Sequence, residues 1–162
     1  TQFNSGDARV SGVEMNFKHS FEQMSGWPRH FSVFVNATKL RLEGHQMASF
    51  SEFIPESMNW GFSFKKNPVI FMAKWNYRGK QVGTAQPTLG PDAFLYEEKR
   101  VTLDLNIIVL LGKRLSLFTN VQNAFNAPHV TLAHGSLTPH YASRRLTATS
   151  GTVIIMGVKG TF

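Results

Sequence analysis

Residues 101–111, Val-Thr-Leu-Asp-Leu-Asn-Ile-Ile-Val-Leu-Leu, decide how the rest of the chain is read. Val101, Leu103, Leu105, Ile107, Val109 and Leu111 occupy every second position, with Thr102, Asp104, Asn106, Ile108 and Leu110 between them. Successive side chains of an extended strand point to opposite faces, so this spacing separates an apolar face from a more polar one; a helix would scatter both sets around its axis.

The same alternation continues on either side. Downstream, Leu115, Leu117, Thr119 and Val121 oppose Ser116, Phe118, Asn120 and Gln122. Upstream, Phe31, Val33, Val35 and Ala37 oppose Ser32, Phe34, Asn36 and Thr38, and Trp60, Phe62 and Phe64 oppose Asn59, Gly61 and Ser63. Val69, Phe71, Ala73, Trp75 and Tyr77 oppose Ile70, Met72, Lys74, Asn76 and Arg78. Val13, Met15, Phe17, His19 and Phe21 supply a first strand, and Ile154, Met156, Val158, Gly160 and Phe162 a last one. Helical periodicity is nearly absent. The chain reads as all-β, an antiparallel up-and-down meander of about seven long strands.

The connections alternate in length. Residues 24–29, 66–67 and 112–113 are short, whereas 42–57, 80–97 and 126–150 are long, so one end of the sheet carries turns and the other loops. Outer-membrane barrels have this asymmetry, with short turns in the periplasm and long loops outside, and Greek-key sandwiches have no reason for it. Counting back from Phe162, the last strand descends into the periplasm and each long connection falls outside. The strands are long enough for the roughly 9–11 residues that a tilted spanning strand needs. Trp27, Trp60, Trp75 and Tyr77 stand near strand ends or turns, where interfacial aromatics belong. Lys39 and Arg41 continue the phase of Phe31 and Val33, so that strand is expected to leave the hydrocarbon, or to meet a bulge, by about residue 39.

Composition agrees. Of 162 residues 42% are hydrophobic and only 17% charged, which requires well-segregated faces, yet no run approaches the roughly 18 apolar residues of a membrane helix. A spanning structure must then be a barrel, because only closed ladders satisfy every backbone group in lipid. The chain has no cysteine, hence no disulfide framework or thiolate metal site. Thr1 begins it with no cleavable leader, as after a cut. The net charge of +7 is spread over doublets, Lys65-Lys66, Lys99-Arg100, Lys113-Arg114 and Arg144-Arg145. A doublet at the end of an apolar strand is more often a solvated turn than a phosphate-binding patch, so no nucleic-acid partner is expected.

Several stretches carry a resemblance. Gly12-Val-Glu-Met-Asn, Ser25-Gly-Trp-Pro-Arg-His-Phe-Ser-Val-Phe-Val-Asn, Ile54-Pro-Glu-Ser-Met-Asn-Trp-Gly and Lys74-Trp-Asn-Tyr-Arg-Gly are similar to the late barrel strands of TonB-dependent receptors. Leu103-Asp-Leu-Asn, Arg114-Leu-Ser-Leu-Phe-Thr-Asn-Val-Gln-Asn-Ala-Phe-Asn and the terminal Gly157-Val-Lys-Gly-Thr-Phe are the most specific matches. The resemblance implies that residues 1–162 form the C-terminal part of a barrel of about 22 strands in the bacterial outer membrane. Such a receptor imports a scarce ligand such as a ferric siderophore, cobalamin or a glycan. The plug domain and the segment that contacts the TonB complex are absent from these residues, so the TonB complex would be reached only through that missing N-terminal part. The implied partners are outer-membrane lipid, the rest of the barrel with its plug, and the barrel-assembly machinery. The last strand, Ile154, Met156, Val158 and Phe162, resembles the signal that this machinery captures by strand pairing.

No enzyme is expected. There is no Gly-x-Ser-x-Gly elbow or Gly-rich phosphate motif, and His19, His30, His45, His129, His134 and His140 have no ligand spacing on any one face. His129, His134 and His140 share the last long connection, where solvated histidines are the default reading, and no metal or cofactor is expected. The candidate lumen-facing residues are Lys74, Asn76, Asp104, Asn106, Asn120 and Gln122, positioned to meet a ligand or plug, or to serve as wall residues bonded to strand neighbours. A different class stays open, since a soluble β-sandwich or small barrel that binds polyanions through its basic residues shows the same alternation.

Overall fold

A computed structural model describes residues 8–44, 53–139, 141 and 143–160. In chain order the strands are β1 (Ala8–Ser20), β2 (Phe31–Gly44), β3 (Glu56–Lys66), β4 (Val69–Arg78), β5 (Gln81–Ala85), β6 (Phe94–Glu97), β7 (Arg100–Leu110), β8 (Leu115–Gln122), β9 (His129–His134), β10 (Arg144–Ala148) and β11 (Val153–Gly160). The seven long strands of the sequence pattern form one antiparallel sheet in the order β1-β2-β3-β4-β7-β8-β11, each paired with the next long strand in the chain. Among the described residues β1 and β11 are its two edges, so the sheet is open.

Two expectations need correction, and one of two alternatives at Lys39 is removed. The long connections 80–97 and 126–150 are not plain loops: they contribute β5, β6, β9 and β10, a second antiparallel sheet in the order β10-β9-β6-β5. No bulge interrupts β2 near Lys39, because the register with β1 runs unbroken from Ala8↔Gly44 to Ser20↔Ser32. The expected connection 42–57 is shorter at both ends, as β2 continues to Gly44 and β3 starts at Glu56. Charge does not stop the strand there. Lys39 Nζ meets Glu56 Oε1 at 2.9 Å and Arg41 Nε meets Glu43 Oε1 at 3.0 Å, both on exposed side chains.

Register turns seven separate alternations into one surface, since residues directly opposite in a ladder share a face. One row reads His19-Val33-Phe62-Ala73-Leu105-Val121-Ile154 across all seven strands. The next toward the loop end reads Phe17-Val35-Trp60-Trp75-Leu103, and the one beyond it Met15-Ala37-Met58-Tyr77-Val101. Toward the turn end come Phe31-Phe64-Phe71-Ile107-Thr119-Met156. Cross-strand aromatic contacts lie along this face: Phe31–Phe64 centroids are 4.9 Å apart, Phe62–Phe71 5.7 Å, and the stacked Trp60–Trp75 pair 6.3 Å. Such neighbours are the unit of sheet stabilisation.

This face has almost no cover. Ala73, Ala93, Leu103 and Ala133 are the buried hydrophobic residues among those described, while Val13 is 74% exposed and Met156 71%. The surface area is 11,987 Å², against about 8,100 Å² for a water-soluble monomer of this mass. The molecule is a wall with two open faces rather than a layer folded over a core.

Candidate functional site

The opposite face is polar, and register aligns it too. Asn16, Asn36, Asn59 and Asn76 stand side by side on four adjacent strands, with Thr102 on the fifth. The neighbouring row toward the turn end is Lys18-Phe34-Gly61-Lys74-Asp104, and the one after it Ser20-Ser32-Ser63-Met72-Asn106-Asn120. Ser32 and Ser63 hydroxyls are 2.7 Å apart. The two large aromatics on this side have small partners: Phe34 lies over Gly61 and Phe118 over Gly157, where a Cβ would meet ring atoms at 2.9 Å and 2.6 Å. A ring laid flat on glycine fills the missing side chain and keeps the polar surface low.

All six candidate lumen-facing residues fall on this face. Asn76 Nδ2 donates to Asp104 Oδ2 at 2.8 Å and to Thr102 Oγ1 at 3.4 Å. Asn106 donates through its side chain to Asn120. Lys74 is the register partner of Asp104, and Gln122 that of Val153 at the loop end, where Gln122 is exposed. Lys74, Asp104, Asn106, Asn120 and Gln122 line one shallow depression; Asn76 stands beside it.

Asp104 also organises the loop end. Its Oδ1 accepts the backbone N–H of Asn123 at 3.0 Å. Asn123 has φ +52° and Asn126 φ +49°, left-handed conformations that asparagine tolerates because its side chain can bond its own backbone neighbourhood. The Asn123 amide does so, accepting Ala127 N–H at 2.9 Å and donating to Gly151 O at 3.3 Å. The hydroxyl of Thr152 donates to Asn123 O at 3.0 Å. The Asn-Val-Gln-Asn-Ala-Phe-Asn stretch is thus the clasp where β8 ends and the excursion to β9 and β10 begins and returns.

Sequence reasoning missed the charged base of the second sheet. Gln81, 2% exposed, is bonded by Arg78, which also meets Glu97 Oε2 at 3.3 Å; His129 Nε2 is 3.7 Å from the same oxygen. Lys80 Nζ lies 3.3 Å from Glu98 Oε1 and 4.5 Å over the Tyr96 ring, which stacks on His134 at 4.5 Å. The Arg78 and Lys80 contacts follow from pairing β5 with β6, which sets Gln81 opposite Glu97, and the His129 and His134 contacts from pairing β6 with β9, which joins Glu97 to Thr131 and cannot be read from either segment alone. At the outer end, Ser136 N–H donates to Asp92 Oδ2 at 2.9 Å, and hydrogen bonds from Ser136 hold the Asp92 carboxyl below the usual carboxylate range.

On the last strand, Ile154, Met156 and Val158 project from the apolar face, exposed along the open edge. Phe162, His45 and His140 lie outside the described residues. Among the described residues no group of three histidine or acidic side chains could hold a metal. The polar face offers amides, hydroxyls and one lysine–aspartate register pair, which suits hydrogen bonding to a polar surface or solute. Compared with family models, with curated proteins and with solved structures, the chain has no match.

Proposed function

We propose that the chain is the C-terminal wall segment of an outer-membrane TonB-dependent receptor, with its apolar face against lipid tails and its polar face toward the lumen. The observation that carries this reading is the uncovered apolar face and its charge-free height. Lys66 bounds it in the row of Val69 and Val109, and the Lys39–Glu56 pair bounds it at the other end. Glu56 is level with Gly79, whose N–H donates to Glu56 O at 2.8 Å, so the band covers about ten residues along the line of β4. Ten residues rise roughly 33 Å, and a strand tilt of about 40° reduces that to about 25 Å, the height of an outer-membrane apolar band.

The turn-and-loop asymmetry supports the same orientation. Turns 21–30, 67–68 and 111–114 lie at one end, and the strand ends Gly44, Glu56, Arg78, Arg100, Gln122 and Val153, from which the long connections leave and return, lie at the other, where the second sheet forms the structure that would face a ligand. The import role and the ligand classes, ferric siderophore, cobalamin or glycan, rest on the resemblance of residues 103–106 and 114–126 and of the terminal strand. Partner strands would continue the ladder at the β1 and β11 edges, which otherwise present unpaired backbone groups. A polyanion-binding sandwich would need a second layer over Val13, Met15, Phe17, Ile154 and Met156, which are exposed.

Envelope fractionation tests the reading. The protein is expected in the outer-membrane fraction, resistant to carbonate and released by detergent. Recovery in the soluble fraction, free of detergent and bound to polyanions in a salt-sensitive manner, would establish the sandwich instead.

A further inference from the structure

The charges of the wall are unevenly paired. The ion pairs among the described residues, Lys39–Glu56, Arg41–Glu43, Arg78–Glu97, Lys80–Glu98 and His129–Glu97, all belong to the loop half. At the turn end stand Arg29, Lys65, Lys66, Lys113, Arg114 and Lys159, all exposed and, among the described residues, without an acidic partner; Glu22 is the single acidic side chain there among the described residues. A solvated turn needs no such excess.

One part of this rim is built as two adjoining hollows. The 21–30 turn folds through a 3-10 turn at Pro28–His30, closed by Trp27 packing edge-on against Phe31 at 5.3 Å. Its outer side is an apolar cleft between Phe21, Met24, Trp27, Pro28, Phe31 and Phe62, with Trp27 70% exposed. Its other side is a polar hollow lined by Arg29, His30, Lys65 and Lys66 with one carboxylate, Glu22, so cations outnumber the acid there, and Phe31 lines both hollows. The His30 ring N–H donates to Lys65 O at 3.0 Å, tying this turn to the end of β3. Lys66 lies on the apolar face of β3, where its methylene stem can run along Val69 while the ammonium reaches the interface.

We propose that this turn binds an anionic phospholipid, with an acyl chain in the Trp27–Phe31 cleft and the phosphate held by Arg29 and Lys66. The proposal rests on the membrane reading above. Charge complementarity identifies the headgroup, and the adjoining apolar cleft identifies a lipid, since a free polyanion has no use for it. Guanidinium and ammonium groups beside a phosphate form charge-assisted hydrogen bonds, and basic residues near an anionic leaflet favour it by about fivefold each.

The test uses the whole chain in phosphatidylcholine vesicles doped with equal small fractions of phosphatidylglycerol or phosphatidylcholine brominated on the acyl chain. Trp60→Phe with Trp75→Phe leaves Trp27 as the one tryptophan, excited selectively at the red edge, and a Trp27→Phe protein reports on Trp60 and Trp75. With two basic residues at about fivefold each, the local preference is about 25-fold, and Trp27 should be quenched correspondingly more efficiently by brominated phosphatidylglycerol. Arg29→Gln with Lys66→Gln should remove that excess, and Lys39→Gln with Arg41→Gln, an equal charge loss at the other end, should leave it. Equal quenching by the two lipids overturns the proposal, as does an excess lost equally in both double variants. Trp60 and Trp75 should be quenched by both lipids alike. If neither lipid quenches them, the wall is not in the bilayer and both readings fall, whereas quenching there without preference at Trp27 refutes the lipid site alone.

Discussion

Asp104 and Asn123 are joined by a 3.0 Å hydrogen bond from the Asn123 backbone to one carboxylate oxygen, while the other oxygen accepts Asn76. The carboxylate thereby couples the middle of β7 to the neighbouring strand β4 and to the clasp that starts the last excursion. Hydrogen bonds to charged groups contribute about 1.5–3 kcal/mol each when desolvated, and less where water reaches them. Asp104→Ala is expected to lower stability by about 1–2 kcal/mol in detergent unfolding. It should also speed amide exchange at residues 123–127, with Asp104→Asn intermediate. Exchange unchanged at the clasp would separate Asp104 from loop anchoring.

The two faces should answer oppositely to the same charge. Phe62→Lys places an ammonium in the middle apolar row and should cost about 2–4 kcal/mol, read as lost folding yield in vesicles. Ser63→Lys, one residue on but on the polar face, should cost only about 0.5–1.5 kcal/mol, the loss of its hydrogen bond to Ser32. Equal effects at the two positions would deny that the faces meet different solvents.

Phe118 and Gly157 form a shape-matched pair on the polar side, with a Cβ at Gly157 falling 2.6 Å from Phe118 Cζ and 2.7 Å from Cε1. Gly157→Ala should destabilise by about 1–3 kcal/mol through overpacking. Combined with Phe118→Ala, the added loss should shrink, giving a double-mutant coupling of about 1 kcal/mol. Strict additivity would mean that ring and glycine are independent.

Asp92 sets a pH limit on the tips of the second sheet. Its folded carboxyl titrates below the ordinary 3.8 because Ser136 hydrogen bonds favour the charged form. The linkage is therefore fully present above 3.8 and is lost as pH falls through the depressed folded value. Protease protection at 135–138 should fall in that acid window, and Asp92→Asn should remove this pH dependence. A pH response that persists in the variant would assign it to another group.

How much of this was legible in the sequence depends on range. Alternation marks Val101 to Leu110 as a strand because the pattern is local and the segment long. The short β6, Phe94–Glu97, has too few positions to show a period, and its partner β9 lies beyond two other strands. At Lys39 and Arg41 the local pattern leaves two readings, an exit from the hydrocarbon or a bulge; the unbroken register rules out the bulge, and Glu56 and Glu43 supply ionic partners there. Asn16, Asn36, Asn59 and Asn76 are each unremarkable polar positions; only register lines them up. The candidate lumen residues were accessible by face alone, whereas the clasp role of Asp104 required the fold of residues 123–127.

The most direct test is a nitroxide scan of residues 101–110 in the protein reconstituted in lipid vesicles, reading collision with oxygen and with a water-soluble nickel chelate. Lipid on the apolar face predicts oxygen maxima at 101, 103, 105, 107 and 109, and nickel maxima at 102, 104 and 106. Odd positions closed to both reagents, as inside a packed protein core, would contradict the account.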